Sequence, residues 1–341
     1  MYYASSYPLA VAYCVLTMLC WGSFANTQKL TGRNWRYELF YWDYVVGVVL
    51  FALVFGLTAG SVGDAPAWGF LANLRQASGS NLLNAFIGGV VFNAANLLLA
   101  AAISIVGLSV AFPVGSGLAL VLGVVVNYIG APKGNAVTLF AGVGLIVVAI
   151  ICNVIACRIR NAAAGAAKSA RSAMVKGLVI SVVCGVLMSF FYRFIACTMD
   201  MDFTKAAPAE GMMTPYSAAF VFALGVFASN FIFNGIAMRH PAAGEPISEK
   251  LYFTGSLRTH LVGILGGLIW GLGNGINLVA AGKAGAAISY GLGQGSTLVS
   301  ALWGILIWRE FKGAPKTSAV CNLAMFVLFV TGLALIVLAG T

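Results

Sequence analysis

Ten runs of about 20 apolar residues divide this chain, and they restrict its fold more than any other feature. A helix needs about 20 such residues to cross the hydrocarbon core of a bilayer. The runs fall near 8–28, 40–60, 82–102, 108–128, 136–157, 175–196, 215–238, 257–281, 286–308 and 317–339. The links between the third and fourth runs and between the eighth and ninth are short, which forces antiparallel hairpins. Only 8% of the 341 residues are charged and 61% are hydrophobic, against roughly 25% charged in a soluble domain. An ordinary cytosolic enzyme, a disordered chain and a nucleic-acid-binding protein are excluded together. The expected class is an all-α membrane protein of ten transmembrane helices, with the lipid bilayer as partner. The N-terminal MYYASSYPLA lacks the basic region of a cleaved signal peptide, so the first run is expected to persist as a span.

The net charge of +10 is read as topology. Fourteen Lys and Arg fall on one side of the ten-span layout, among them Lys29, Arg33, Arg36, Arg160 and Lys176. Five fall on the other: Arg75, Lys133, Arg193, Lys205 and Lys283. Lys/Arg excess marks the cytoplasmic side, which predicts that both termini are extracytoplasmic. Trp35, Tyr37, Tyr41, Trp42 and Trp308 sit at run ends and read as interface-belt residues. The stretch Arg158–Lys176 reads as a basic cytoplasmic linker attracted to anionic lipid.

The two halves repeat. At one fixed offset, without a gap, Gly88, Gly89, Asn96, Gly107, Gly115 and Gly117 meet Gly266, Gly267, Asn274, Gly285, Gly293 and Gly295. A looser alignment sets Lys29 against Arg193. Residues 1–158 are expected to form one five-helix repeat, 159–174 the linker and 175–341 the second repeat. Five is odd, so the halves run inverted in the membrane, an arrangement that secondary transporters use for alternating access. Pro113, Gly115 and Gly117 in one half, with Gly291, Gly293 and Gly295 in the other, are candidates for helix breaks that gate a cavity. Close helix packing is the other use of such small residues.

A polar side chain in hydrocarbon is costly unless it meets a partner or a wet cavity. The candidates for binding a substrate are therefore Trp21, Ser23, Asn26, Asn93, Asn96, Ser116, Trp270, Asn274, Asn277, Tyr290 and Gln294, with Ser109 and Ser289 beside them. Amides and hydroxyls donate and accept hydrogen bonds, which suits a small neutral solute, and Trp faces suit a flat ring. Hydrogen bonding between neighbouring helices would also explain any single one of these residues. Asp43 is the one carboxylate near a span's body. It is a candidate for proton coupling, or else a partner of Lys29. His240 and His260 read as solvated or interfacial. The seven cysteines show no C-x-x-C or Cys/His cluster, so no metal or cofactor is expected. H-E-x-x-H and G-x-S-x-G are absent, and Gly165–Ser169 (GAAKS) falls short of a Walker A sequence.

The Trp21–Gly22 pair, Trp42–Asp43–Tyr44, the Gly88–Gly123 block with NLLLAAAISIVGLSVAFP and the Gly266–Glu310 block ending in LVSALWGILIWREF resemble the ureide permease family. Beyond it they resemble the glucose- and ribose-type sugar porters of the drug/metabolite transporter superfamily. The resemblance implies a ten-helix inverted-repeat fold and import of a ureide, nucleobase or sugar with a proton, sodium being the alternative ion. It implies a multi-pass protein of the plasma membrane, the inner membrane in a bacterium, acting as monomer or homodimer. The chain lacks the longer, Walker-like central loop of plant-type members, so it resembles a compact, bacterial-type one. The leading expectation is a symporter and not an enzyme. An exporter of metabolites or drugs is one alternative, and a non-transporting receptor or scaffold another.

Overall fold

A computed structural model describes residues 1–32, 35–61, 69–163, 168–203 and 209–341. Arg33 and Lys205 of the charge count, and Gly165–Ala167 of the GAAKS stretch, lie outside the described residues. Helices α1 (Tyr7–Ser23) and α2 (Ala25–Leu30) form the first span, interrupted at Phe24. They are followed by α3 (Tyr37–Leu57), the short α4 (Phe70–Gln76), α5 (Gly79–Val106), α6 (Leu108–Gly130), α7 (Ala136–Ala163), α8 (Lys168–Ala196) and α9 (Pro215–Arg239). A 3-10 segment, Glu249–Thr254, precedes α10 (Leu257–Ala284), α11 (Ala286–Gln294) and α12 (Ser296–Leu302). A π-helical turn (Trp303–Ile307) and α13 (Lys316–Leu338) complete the chain. Among the described residues nine helices are long and apolar enough to cross a membrane. The tenth run is present as three consecutive short pieces, α11, α12 and the π turn. Most of the expected linker is helical, because α7 continues to Ala163 and α8 begins at Lys168.

The register that sets Gly89 against Gly267 extends through the backbone. Helix α5 is capped by Ser78, whose side chain accepts from the Asn81 N–H, and it ends at Gly107. Helix α10 is capped by Ser256, which accepts from the Thr259 N–H, and it ends at Gly285. Each cap satisfies a helix-terminal donor that would otherwise be orphaned. Gly107 (φ 87, ψ 165) and Gly285 (φ 85, ψ 156) turn the chain into α6 and α11 through a left-handed conformation that only glycine adopts freely.

Packing repeats as well. A Cβ on Gly89 would collide with the Phe222 carbonyl and lie 3.0 Å from Gly225 Cα. One on Gly267 would collide with the Tyr44 carbonyl and lie 2.8 Å from Gly47 Cα. In the same register Phe222 and Gly225 are the counterparts of Tyr44 and Gly47. Thus α5 crosses α9 as α10 crosses α3, each backbone touching the other where side chains are missing. Close van der Waals approach of this kind drives helix association where no hydrophobic force operates.

Helix α6 runs unbroken through Pro113, Gly115 and Gly117, contrary to the expected break. Pro113 is the sixth residue of α6, where it removes one hydrogen bond of the second turn without interrupting the helix. The glycines serve packing: a Cβ on Gly117 would meet Ile150 at 2.8 Å, and the Gly115 carbonyl faces Gly185. In the second half the helix is interrupted, at Gly295 between α11 and α12. Both termini lie at one end of the molecule, where the Tyr7 hydroxyl donates to the Val337 carbonyl (2.6 Å). Lys29, Arg36, Arg160 and Trp308 lie at the other.

Candidate functional site

Three cavities adjoin one another from the Lys29 end inward, each sharing lining residues with the next. The outermost holds about 590 Å³ and is lined by Gln28, Lys29, Trp35, Arg36, Tyr37, Ser104 and Trp308, among others. It shares Ala25, Gln28, Tyr37 and Ile103 with a middle cavity walled by Phe24, Phe40, Tyr41, Tyr44 and Asn96. That one shares Phe24, Asn96 and Leu99 with the innermost, which also holds Trp21, Phe92, Phe112, Ser116, Met188, Phe191, Trp270, Gln294 and Ser296. The two inner cavities are about 20 Å³ each, about the room one water needs. No carboxylate is among the described lining residues of any of the three.

The innermost cavity is an aromatic slot with polar walls. Trp21 and Trp270 stack nearly parallel, at 9° with ring centroids 5.7 Å apart. Phe92 lies against Trp270 at 4.3 Å. Phe92 and Trp270 stand at the same fixed offset as the matched glycines, and their rings meet. The buried Trp21 Nε1–H has no hydrogen-bond partner, and an unsatisfied buried donor is costly. Asn96 donates to the Tyr41 hydroxyl at 3.0 Å. Tyr41 is thereby a buried wall residue and not a member of an interface belt. Its role is hidden in the sequence because it lies near a run's end beside Trp42, which is half-buried.

Of the expected substrate ligands, Trp21, Asn96, Ser116, Trp270 and Gln294 come together here. Asn274 is buried one turn beyond Trp270, with its Oδ1 unpartnered. The others hold helices to one another. Ser23 accepts from Trp303 Nε1 (3.0 Å) and Asn26 from Trp308 Nε1 (2.6 Å). Asn93 donates to Ser229 (2.9 Å), Asn277 to the Ser289 carbonyl (2.9 Å), and the Tyr290 hydroxyl to the Met188 carbonyl (2.9 Å). Gly293 is pressed against Trp21 and Asn277, and Gly291 against Val124, so small size rather than a break explains both.

Asp43 does not pair with Lys29. Its carboxylate accepts from the Tyr252 hydroxyl at 2.5 Å and faces His260 Nδ1 at 2.9 and 3.0 Å. Its side chain is 3% exposed and that of His260 21%. His260 therefore belongs to a hydrogen-bonded pair with a buried carboxylate, whereas a lone histidine before an apolar run reads as solvated. The 3-10 segment, which brings Tyr252 over the end of α3, carries no hydropathy signal that would have located it. Burial, then the bond to Asp43, raise the Tyr252 phenol above its ordinary value. Lys29 lies over the Trp308 ring at 4.1 Å and reaches Glu310 at 3.7 Å. Glu310 also accepts from the Leu108 N–H at the start of α6 (3.2 Å), where a carboxylate complements the helix dipole.

The chain matches the sequence profile "Ureide permease" over residues 40–172 and 159–339. Ureide permeases 1 and 2 of Arabidopsis thaliana are 25% and 24% identical to it, each comparison covering 98% of both chains. Transmembrane protein 144 homolog A of Dictyostelium discoideum is 22% identical over 45% of this chain and 37% of its own. A solved crystal structure superposes with a TM-score of 0.59 at 16% identity, over 97% of this chain and 99% of the other. That last likeness is one of fold alone. These matches support the ureide permease part of the resemblance and give no support to the sugar-porter part. The profile spans most of the sequence: the chain belongs to the ureide permease family and is a membrane transporter, not an enzyme.

Proposed function

We propose that this transporter imports a small neutral polar solute together with a proton, by alternating access between two inverted five-helix repeats. A ureide is the first solute class to test, since the relatives are named as ureide permeases; a nucleobase and a sugar follow. The observation that carries the reading is the series of cavities ending at Trp21 and Trp270. It offers rings for a flat solute, and amides and hydroxyls for its C=O and N–H groups. Among its described lining residues there is no acid to hold a cation.

On this reading α11, α12 and the π turn together make the tenth crossing, and residues 1–158 and 175–341 are the two repeats. The single ungapped register between them, retained in caps, turns and glycine contacts, supports that division. The Lys29 end is cytoplasmic by its basic residues, so the arrangement described is open inward. The small central volume means that the slot widens around its solute. Asp43 provides the coupling site, and sodium is the alternative ion.

Purified protein in vesicles is to be given allantoin, uracil or glucose under an inward proton gradient. Accumulation of one of them above the external concentration is expected. Flat uptake of all three overturns the importer reading.

A further inference from the structure

The crossing of α3 on α10 and its counterpart, α9 on α5, are alike at their glycines and differ at one place. Four residues before Gly47 stands Asp43, and seven before Gly267 stands His260. At the corresponding positions of the other crossing stand Val221, four before Gly225, and Leu82, seven before Gly89. The corresponding positions thus hold two apolar residues in one crossing and a hydrogen-bonded carboxylate and imidazole in the other. Replacing buried ion pairs by apolar residues is often neutral or stabilising, so packing alone does not call for Asp43 and His260.

We propose that His260 is the proton-binding group of the transporter, with Asp43 as its fixed counter-charge and Tyr252 as a positioning residue. This rests on the proton-coupled reading above. A carboxylate only accepts hydrogen bonds, so the facing His260 Nδ1 carries a hydrogen and donates it. The other ring nitrogen, Nε2, is where a proton is taken up. Protonation there changes the pair's net charge from −1 to zero; release returns the proton to water and leaves a buried carboxylate without a counter-charge. Nε2 lies beside Gly255, where a Cβ would approach it to 2.6 Å. It is also next to Trp35, whose ring meets the imidazole edge-on with centroids 5.6 Å apart. Trp35 lines the 590 Å³ cavity, so a single side chain separates the solute path from the proton site.

The groups facing His260 are few. Helix α3 presents Asp43, the 3-10 segment presents Tyr252, and the preceding loop presents Trp35. Lys250 and Arg258 are exposed. Arg36 and Glu38 at the start of α3 are bound to each other, and Arg239 to Glu249. The charge that changes is therefore localised on the imidazole.

The test uses the full-length protein in vesicles with allantoin as probe. One proton per solute sustains up to about tenfold accumulation across one pH unit. His260→Gln is expected to reduce that to no accumulation, and to flatten the pH profile of allantoin counterflow. The double variant Asp43→Val with His260→Leu places at this crossing the two apolar residues that the other crossing carries at the same positions. It is expected to run counterflow at a rate independent of pH, without accumulation. Tenfold accumulation by either variant overturns the proposal. If the wild type shows no accumulation yet runs counterflow, the proton-coupled import reading fails. A pH-dependent counterflow that His260→Gln abolishes would then still carry the proton site, and a pH-independent one would overturn it.

Discussion

Gly267 lies so close to Gly47 that a methyl group on it would come within 2.8 Å of the Gly47 Cα. Backbone, not a flexible side chain, forms the obstacle. Gly89 against Gly225 repeats the contact, so both crossings are set at a separation that alanine cannot enter without moving a helix. Gly267→Ala and Gly89→Ala are each expected to destabilise the folded protein by about 1–3 kcal/mol. Thermal unfolding in detergent checks this.

Asn96 joins the middle and innermost cavities and donates to the Tyr41 hydroxyl. Tyr41→Phe frees the Asn96 amide while preserving the ring. Solute uptake by this variant is expected to change in KM by several-fold with expression intact. Asn96→Ala should reduce uptake at least tenfold, the equivalent of about 1.4 kcal/mol. Unchanged kinetics in both variants would remove Asn96 from the solute path.

Glu310 ties the segment after the π turn to the first turn of α6 and to Lys29. Glu310→Gln keeps an acceptor for the Leu108 N–H and removes the charge that the helix dipole favours. A loss of about 0.5–1 kcal/mol is expected, read as a lowered unfolding midpoint that added salt reduces. Salt-independent unfolding at the wild-type midpoint would show that the charge contributes nothing.

Tyr252 titrates above the ordinary phenol value in the folded protein, because of burial and the Asp43 carboxylate. The sign follows: the folded state favours the neutral phenol, so its contribution is intact below about pH 10 and lost as the pH rises through the raised value. Between about pH 7 and 9 the phenol remains a donor to Asp43. Unfolding midpoints of wild type and Tyr252→Phe should therefore differ by a constant amount over that window and converge only above about pH 10.

Most spans are legible because hydropathy averaged over one bilayer crossing is a property of the local sequence; α6 begins at Leu108 and α9 at Pro215, as the runs indicate. What escapes depends on which face a residue presents. Asn93 and Asn96 are three positions apart on α5, yet one bonds to Ser229 on α9 and the other to Tyr41 on α3. Hydropathy cannot separate those two faces. His260 reads as solvated because its partner lies 217 residues away. The register between the halves carries a signal for it, since it aligns His260 with Leu82 and Asp43 with Val221.

Phe92 and Trp270 occupy one position of the repeat and touch each other where the halves meet. Under the proposed alternating access, a residue on that seam would face the solute equally whichever half is displaced, so replacing it should change how tightly the solute is held and not from which side it is taken up. Asn96 and Asn274 stand off the seam, one bonded to a tyrosine and the other with a free carbonyl oxygen. Under the same proposal, a difference in grip between the two access states would be written in such off-axis pairs. The proposed mechanism would then allow the direction of net flow to change without disturbing the ring-lined centre.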